Sequence, residues 1–382
     1  MFKFMLCLFN RIFLLIVFTV LINRLQAAEK PNIVLILTDD QGMNMLGCYG
    51  DPNVKTPHID QLAKEGILFT KAYCTTPSCS PSRSVILTGL HNHRNGQYGL
   101  ANSFFNFKTH ISALTLPVLL TQAGYYTLQI GKFHLQPKDI YKFDKSMERY
   151  GMNPYHMSIE VGKMLDEKPA DKPFFLYLAS TEPHHDGGRN AKLPYSPNRF
   201  GNKDTPLEGI KNVYYNPDSL KIPFYLPDIP ETRAELSQYF QAISRIDEGI
   251  GHIIKMLKAK NMYDNTIIIF TSDNGAPFPG GKGNLYDPGV RLPFIVKTLK
   301  GGVKNQISTS FISFADITPT ILDLAEALPL SYELKKTSNK KDWSVAEYNS
   351  TDTVFHGKSF ASIIDNPIKS VQNEVFLSHS FA

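Results

Sequence analysis

Short apolar runs, each ending in polar or glycine residues, recur along this chain and are typical of buried parallel strands. The predicted strands are Asn32–Thr38, residues 127–130, Phe174–Ala179 and residues 266–271. Between them lie segments whose apolar residues recur every three or four positions, as in amphipathic helices. Because strands alternate with helices, the sequence predicts an α/β fold with a mostly parallel sheet sandwiched by helices.

Four helices can be placed from local signals. Thr56 is positioned to cap the first, which has Pro57 at its first position. Ser80 and Pro81 are expected to begin the second, and residues 317–328 form another. The longest carries an apolar stripe made of Leu236, Phe240, Ile243, Ile250, Ile253, Ile254 and Leu257. Residues 186–230 are rich in Pro, Gly, Asn and Tyr without periodicity, which predicts a long surface excursion that could line a site.

Composition limits the class of protein. The 382 residues are 42% hydrophobic and 20% charged, which are globular values compatible with a sizeable core. The formal net charge is +5, but Lys3, Arg11 and Arg24 lie in the first 28 residues and leave the remainder at +2. We therefore expect no general affinity for nucleic acid, and recognition of an anionic substrate must come from a local cluster.

The N-terminal segment predicts entry into the secretory pathway. An apolar run over residues 12–22 is followed by Ala27-Ala28, which indicates a cleaved signal peptide spanning residues 1–28. The run is short for a membrane span, so no stable membrane anchor is expected. Asn349-Ser350-Thr351 is a glycosylation sequon that fits this route. The predicted destination is the lysosome or the extracellular space.

Chemistry-bearing residues follow the predicted strands. Ligands of such sheets bind beyond the carboxyl ends of the strands. The residues found there are Asp39 and Asp40 after the first strand, Lys132 and His134 after the second, His184 and His185 after the third, and Asp273 and Asn274 after the fourth. Each group alone is typical of a cap, a turn or a hydrogen-bonded loop. Four such groups, together with a cysteine at a helix start, predict one shared site.

The residue types indicate a hard cation beside an anion. Asp39, Asp40, Asp273 and Asn274 offer oxygen ligands, which favour calcium, and less strongly magnesium, over zinc. The positive residues Arg83, Lys132 and Lys282 could neutralise a tetrahedral anion. Cys79 lies at the start of a helix, where free N–H groups hold anions. The alternative for Cys79 alone is a buried structural thiol.

Three motifs carry a resemblance to the sulfatase family. Residues 78–84, Ser-Cys-Ser-Pro-Ser-Arg-Ser, with Leu-Thr-Gly at 87–89, resemble the sulfatase signature. Residues 131–134 and 271–275 are similar to the second and third blocks of that family. The resemblance extends from residue 31 to about residue 330. Segments 88–91, 95–100 and 273–289 carry a narrower likeness to the heparan N-sulfatases.

The resemblance implies an alkaline-phosphatase-like sulfatase fold with a catalytic domain over residues 29–330. Residues 331–382 would begin a C-terminal antiparallel subdomain that is largely missing, as in a truncated gene model or a fragment. A homodimer is one assembly that the resemblance leaves open.

The resemblance also implies a role for each site residue. Cys79 would be converted to formylglycine by the formylglycine-generating enzyme, a partner in maturation, and its hydrate would attack sulfur. The modified Cys79 would bind calcium together with Asp39, Asp40, Asp273 and Asn274. Three cations, Arg83, Lys132 and Lys282, would hold the sulfate. His184 would donate a proton to the leaving nitrogen, and His134 would assist the release of sulfate. His185 beside His184 leaves the first histidine assignment open.

The implied activity is removal of N-linked sulfate from glucosamine residues of heparan-type glycans, so a sulfated glycosaminoglycan would be the substrate. Alternatives are an O-sulfatase acting on glycan or aryl sulfate esters, and a truncated, non-catalytic sulfatase-like protein. A phosphoryl-transfer relative is less favoured, since its nucleophile would usually be serine or threonine.

Overall fold

The computed structural model describes residues 30–102, 104, 106–185, 200–202, 205–328 and 355–379. The predicted signal peptide, residues 329–354 with the sequon at Asn349, and residues 186–199 of the surface excursion lie outside the described residues.

Within the described residues, eight strands form one mixed sheet in the order β4-β3-β5-β1-β6-β7-β2-β8. The strands are β1 Asn32–Thr38, β2 Gly66–Tyr73, β3 Tyr126–Gly131, β4 Lys145–Glu148, β5 Phe174–Ala179, β6 Thr266–Ser272, β7 Phe294–Lys297 and β8 Gln306–Ser313. Of these, β7 is antiparallel to both of its neighbours, and the other pairs are parallel. The predicted mostly parallel sheet is confirmed. The four strands predicted from sequence are β1, β3, β5 and β6, which are adjacent in it.

The described helices are α1 Pro57–Lys64, α2 Cys79–Thr88, α3 Asn92–Asn95, α4 Leu116–Gln122, α5 Pro154–Asp166, α6 Pro230–Ala259, α7 Asp287–Val290, α8 Ile317–Leu324 and α9 Ala361–Asp365. Helix α2 begins at Cys79, which the sequence placed at a helix start. The predicted end of another helix was wrong. Helix α8 ends at Leu324 rather than at residue 328, because Glu326 takes a positive φ of 52° that no right-handed helix accommodates.

The two faces of the sheet each pack against helices. Alternate residues of β1 point to opposite sides, so Leu35 belongs to one hydrophobic core and Ile36 to the other. The first core includes apolar residues of α2, α4, α8 and α9, and the second includes those of α1, α5 and α6. Phe360, in the segment 355–379, is fully buried in the first core. The result is the helix–sheet–helix sandwich expected from the sequence.

The start of α1 is capped from a distance. Thr56 occupies the capping position, but its side chain makes no cap hydrogen bond and instead donates to Asp60. Asp247 of α6 accepts the amides of His58 and Ile59 at 3.2 and 2.8 Å. The local prediction for Thr56 was wrong because a residue distant in sequence supplies the acceptor.

No helix in the described part of the chain combines the length and apolarity that crossing a membrane requires.

Candidate active site

The carboxyl ends of β1, β3, β5 and β6 lie at one edge of the sheet. Leu37 pairs with Ala179, which pairs with Gly131, and Thr38 pairs with Ser272. Backbone bonds continue past the strand ends, from Asp39 N to Glu182 O and from Asp273 N to Thr38 O. The loops that carry the predicted residues are therefore held together by the sheet itself.

Cys79 begins α2 and is 2% exposed. Its Sγ lies 3.4 Å from Asp39 Oδ1 and 3.9 Å from Asp40 Oδ1. Burial and the neighbouring Asp39 carboxylate raise the pKa of the thiol to about 12, against the attraction of Lys132 and Lys282. At neutral pH the unmodified side chain is a thiol rather than a thiolate, so it is a poor nucleophile by itself.

Asp39 is fully buried among cations. Lys132 Nζ lies 2.5 Å from Asp39 Oδ2, and Arg83 Nη2 lies 3.9 Å from Asp39 Oδ1. Burial raises the pKa of Asp39, but Lys132, His184 and Arg83 outweigh it, and that pKa falls below its ordinary value. Asp39 is thus a carboxylate at neutral pH.

The carboxylate of Asp40 contacts three side chains from other loops. Its carboxylate accepts the Asn274 amide at 2.6 Å, lies 2.7 Å from His184 Nδ1 and lies 2.8 Å from Lys282 Nζ. Burial raises the pKa of Asp40, while Lys282 and His184 lower it more, so the pKa is well below the usual range. The backbone of Asp40 has a φ of 66°, a left-handed conformation that costs energy in a residue with a side chain.

Arg83 and Asp273 form a second buried ion pair. Arg83 Nε donates to Asp273 Oδ2 at 2.8 Å, and Arg83 Nη1 donates to the carbonyl of Lys132 at 2.7 Å. Among the described residues, Arg83 Nη2 has no hydrogen-bond partner although it is buried. Asp273 Oδ1 accepts the amide of Asp40 at 3.1 Å. A cationic N–H group that is desolvated and unbonded can receive an anion.

The histidines occupy different surroundings. His134 also has a positive φ, 58°, and its buried Nδ1 lacks a partner. Burial and the charge of Lys132 lower the pKa of His134 to about 3, so its imidazole is neutral. His184 contacts Asp40, whereas His185 Nε2 lies 3.8 Å from Glu235 and its ring packs on Phe200. Of the two adjacent histidines, His184 is the one in the carboxylate cluster.

The residues fit a hard divalent cation. Asp39, Asp40, Cys79 and His184 present potential ligand atoms that all lie within 4.8 Å of one another. Asn274 Oδ1 is buried without a partner, and a half-turn of its amide would exchange it with the nitrogen that faces Asp40. Asp273 is outside that four-residue set, and its two oxygens accept from Arg83 Nε and from the Asp40 backbone amide. Carboxylate and amide oxygens are the donors that calcium prefers.

The position after Asn274 accommodates only glycine. A Cβ on Gly275 would lie 1.8 Å from the carbonyl oxygen of Pro288. The Asp-Asn-Gly sequence is thus both a turn and a close approach of two backbones, which directs Asn274 towards Asp40.

Two contributors were not identified from the sequence. Ser272 Oγ accepts the Gln41 amide at 2.8 Å, and Tyr239 in α6 donates to the Asp40 carbonyl at 2.7 Å. The signal for Tyr239 was its spacing of three from Leu236, on the buried face of a predicted helix. A buried tyrosine hydroxyl needs a partner.

Comparison with known proteins identifies the family. The sulfatase family model matches residues 31–327, more than three quarters of the chain.

The chain belongs to the sulfatase family.

Relatives agree with that assignment. Human N-sulphoglucosamine sulphohydrolase is 35% identical over 367 residues, which cover 91% of this chain and 73% of the human protein. An ulvan-active sulfatase of Formosa agariphila is 28% identical over 306 residues, which cover 78% of this chain and 55% of that protein. Sulfatase chemistry is hydrolysis of sulfate esters or sulfamates, and this chain is a hydrolase of that class.

A solved structure confirms the fold. A protein whose structure was solved in complex with its substrate D-glucosamine-2-N,6-O-disulfate matches with a TM-score of 0.63 and 22% identity, over 89% of this chain and 81% of that one. The alkaline-phosphatase-like sulfatase fold expected from the sequence is therefore confirmed.

Proposed function

We propose that the protein is a sulfohydrolase that removes N-linked sulfate from glucosamine residues of heparan-type glycans. The observation that carries the proposal is the position of Cys79, buried at a helix start between two carboxylates and near cations, in a chain 35% identical to an N-sulphoglucosamine sulphohydrolase. Relatives whose names specify other substrates, among them ulvan-active sulfatases and N-acetylgalactosamine-6-sulfatases, are less similar, at 27–30% identity.

A sulfate group can be held by cations that already surround Cys79. Lys132 and Lys282 lie at the two adjacent carboxylates, and Arg83 offers its unbonded Nη2. Because Arg83 and Lys132 are buried, their charges are weakly screened and stabilise negative charge strongly. Lys282 and His184 are the partly exposed members, with 26% and 32% of their side chains accessible, so substrate would enter on their side.

Proton transfer is assigned to the histidines. Contact of His184 Nδ1 with Asp40 orients the ring and leaves Nε2 to donate a proton to the leaving nitrogen. His134 is neutral, because the pKa of its buried ring is lowered to about 3, and it can accept a proton during release of sulfate.

Two groups complete the proposal. A formylglycine at position 79 would supply two geminal hydroxyls, one to attack sulfur and one to allow sulfate to be expelled without a separate water. Calcium held by Asp39, Asp40, Asp273, Asn274 and residue 79 would supply positive charge for the sulfuryl oxygens. Passage through the secretory pathway to the lysosome or the exterior belongs to the same proposal.

Mass spectrometry tests the modification. Full-length protein co-expressed with the formylglycine-generating enzyme is digested with trypsin, and the peptide that ends at Arg83 is analysed. We expect an aldehyde at Cys79 and an unmodified thiol at Cys74, which lies in the same peptide and serves as an internal control. A thiol at both positions would contradict the catalytic proposal.

Substrate preference tests the narrower assignment. Sulfate release is measured from N-sulfated glucosamine and from 6-O-sulfated glucosamine, with Cys79→Ala protein as the background. We expect release from the N-sulfated compound and little from the O-sulfated one. The reverse preference would replace this proposal with an O-sulfatase.

A further inference from the structure

The turn that carries Asp40 is held from outside itself. Three consecutive amides donate to side chains of other elements. The Asp40 amide donates to Asp273 Oδ1 at 3.1 Å, the Gln41 amide to Ser272 Oγ at 2.8 Å, and the Gly42 amide to the Tyr239 hydroxyl at 3.1 Å. Since Asp40 is in a left-handed conformation, the turn depends on these contacts.

Tyr239 holds both ends of that turn with one atom. Its hydroxyl accepts from Gly42 N and donates to the carbonyl of Asp40 at 2.7 Å. Its ring is fully buried and makes edge contacts with Phe200 and Phe278 at centroid distances of 5.4 and 5.3 Å. Because packing fixes the ring, the position of the hydroxyl is set by α6 and not by the turn.

We infer that Tyr239 is a positioning residue for the metal site: it keeps the Asp40 carboxylate directed at Asn274 and Cys79 by holding the Asp40 backbone in its left-handed conformation. The inference rests on the calcium site proposed above. If the hydroxyl is removed, some molecules adopt other conformations of the turn, and the apparent affinity for the ion falls by the fraction that remains competent.

Calcium binding to full-length protein tests the inference. Tyr239→Phe keeps the packed ring and removes both hydrogen bonds. We expect its dissociation constant for calcium to rise about fivefold to tenfold, as when one or two hydrogen bonds no longer favour the binding conformation. The matched control is Tyr125→Phe, whose buried hydroxyl donates to the carbonyl of Pro31 at 3.0 Å. Pro31 precedes β1, at the opposite end of that seven-residue strand, about 23 Å away.

Hydrogen exchange gives a readout that needs no metal. In the calcium-free proteins, the amide of Gly42 should exchange faster in Tyr239→Phe than in wild type, with no change in Tyr125→Phe. A Tyr239→Phe protein that fails to fold would assign the hydroxyl to overall stability and overturn the inference. A variant that folds, binds calcium and exchanges Gly42 as wild type does would show that the turn does not need the hydroxyl, and would also overturn it. Failure of the wild type itself to bind calcium contradicts the proposed metal site instead, and the exchange rates still decide the role of Tyr239.

Discussion

Two buried polar clusters of different kinds lie at the two ends of helix α2. The charged cluster, at its start, is made of Asp39, Asp40, Arg83, Lys132 and Asp273. The amide cluster, towards its end, is made of Ser84, Thr88, Asn92, Asn95 and Gln97. The charged cluster and its neighbours leave Arg83 Nη2, Asn274 Oδ1 and His134 Nδ1 buried without partners, whereas no buried side-chain polar atom of the five amide-cluster residues lacks one.

The amide cluster is neutral and closed. Asn95 Nδ2 donates to Ser84 Oγ, Thr88 Oγ1 and Leu90 O, and its Oδ1 accepts the amide of Gln97. A satisfied neutral network fixes one arrangement of the chain at little electrostatic cost. Buried charges with unpaired donors are costly, and they persist where a ligand uses them. The difference indicates that the charged cluster serves chemistry and that the amide cluster serves stability.

Cys79→Ala should give the largest separation between loss of activity and loss of stability. The variant loses the side chain proposed to become the nucleophile, so kcat/KM should fall at least about 10⁴-fold. The melting temperature should change little, since the thiol is packed but makes only long contacts with Asp39 and Asp40. Sulfate release and a thermal melt measure the two effects. Substantial turnover by folded Cys79→Ala protein would refute the assignment of Cys79.

Asn95→Ala should lower stability and leave activity largely intact, the opposite of Cys79→Ala. Its removal leaves the Gln97 amide and the Ser84 and Thr88 hydroxyls with fewer partners, which should lower the free energy of unfolding by about 2–4 kcal/mol. Catalysis by the folded fraction should persist, because Asn95 contacts none of the charged cluster. Denaturant melts and kcat/KM below the melting temperature measure this. A loss of kcat/KM as large as that of Cys79→Ala would show that the clusters are not separate.

The same contrast explains what could be predicted from the sequence. The charged cluster was predictable because parallel strands end at one edge, so Asp39, Lys132, His184 and Asp273 had to lie close together. The contact between Asp247 and the start of α1 was not predictable, since nothing local shows that a residue nearly 190 positions away replaces Thr56 as the cap. Strands β2, β4, β7 and β8 were also missed, because β2, β4 and β8 carry polar residues among their apolar ones and β7 has only four residues.

Calcium should stabilise the folded protein through the charged cluster alone. At a free concentration 100 times the dissociation constant, binding adds about 2.7 kcal/mol to the free energy of unfolding. We expect wild type and Asn95→Ala to melt several degrees lower in a calcium chelator than in calcium, and Asp40→Asn to melt at the same temperature in both. Differential scanning calorimetry measures the shifts. A full calcium shift in Asp40→Asn would remove Asp40 from the ligand set.

Asp247, a buried carboxylate outside both clusters, sharpens the comparison because its pKa shifts in the opposite direction. Lys282 and His184 overcome burial and hold the pKa of Asp40 low, but Asp247 contacts the amides of His58 and Ile59, and burial raises its pKa to about 7. Unfolded, the Asp247 carboxyl would titrate near 3.9. Between these values the folded protein binds more protons, so stability falls as pH rises. Between pH 5 and 6, wild type should lose about 1 kcal/mol more than Asp247→Asn, which denaturant melts at the two pH values measure. Equal pH dependence in the two proteins would mean that the helix amides hold Asp247 ionised, as the cations hold Asp40.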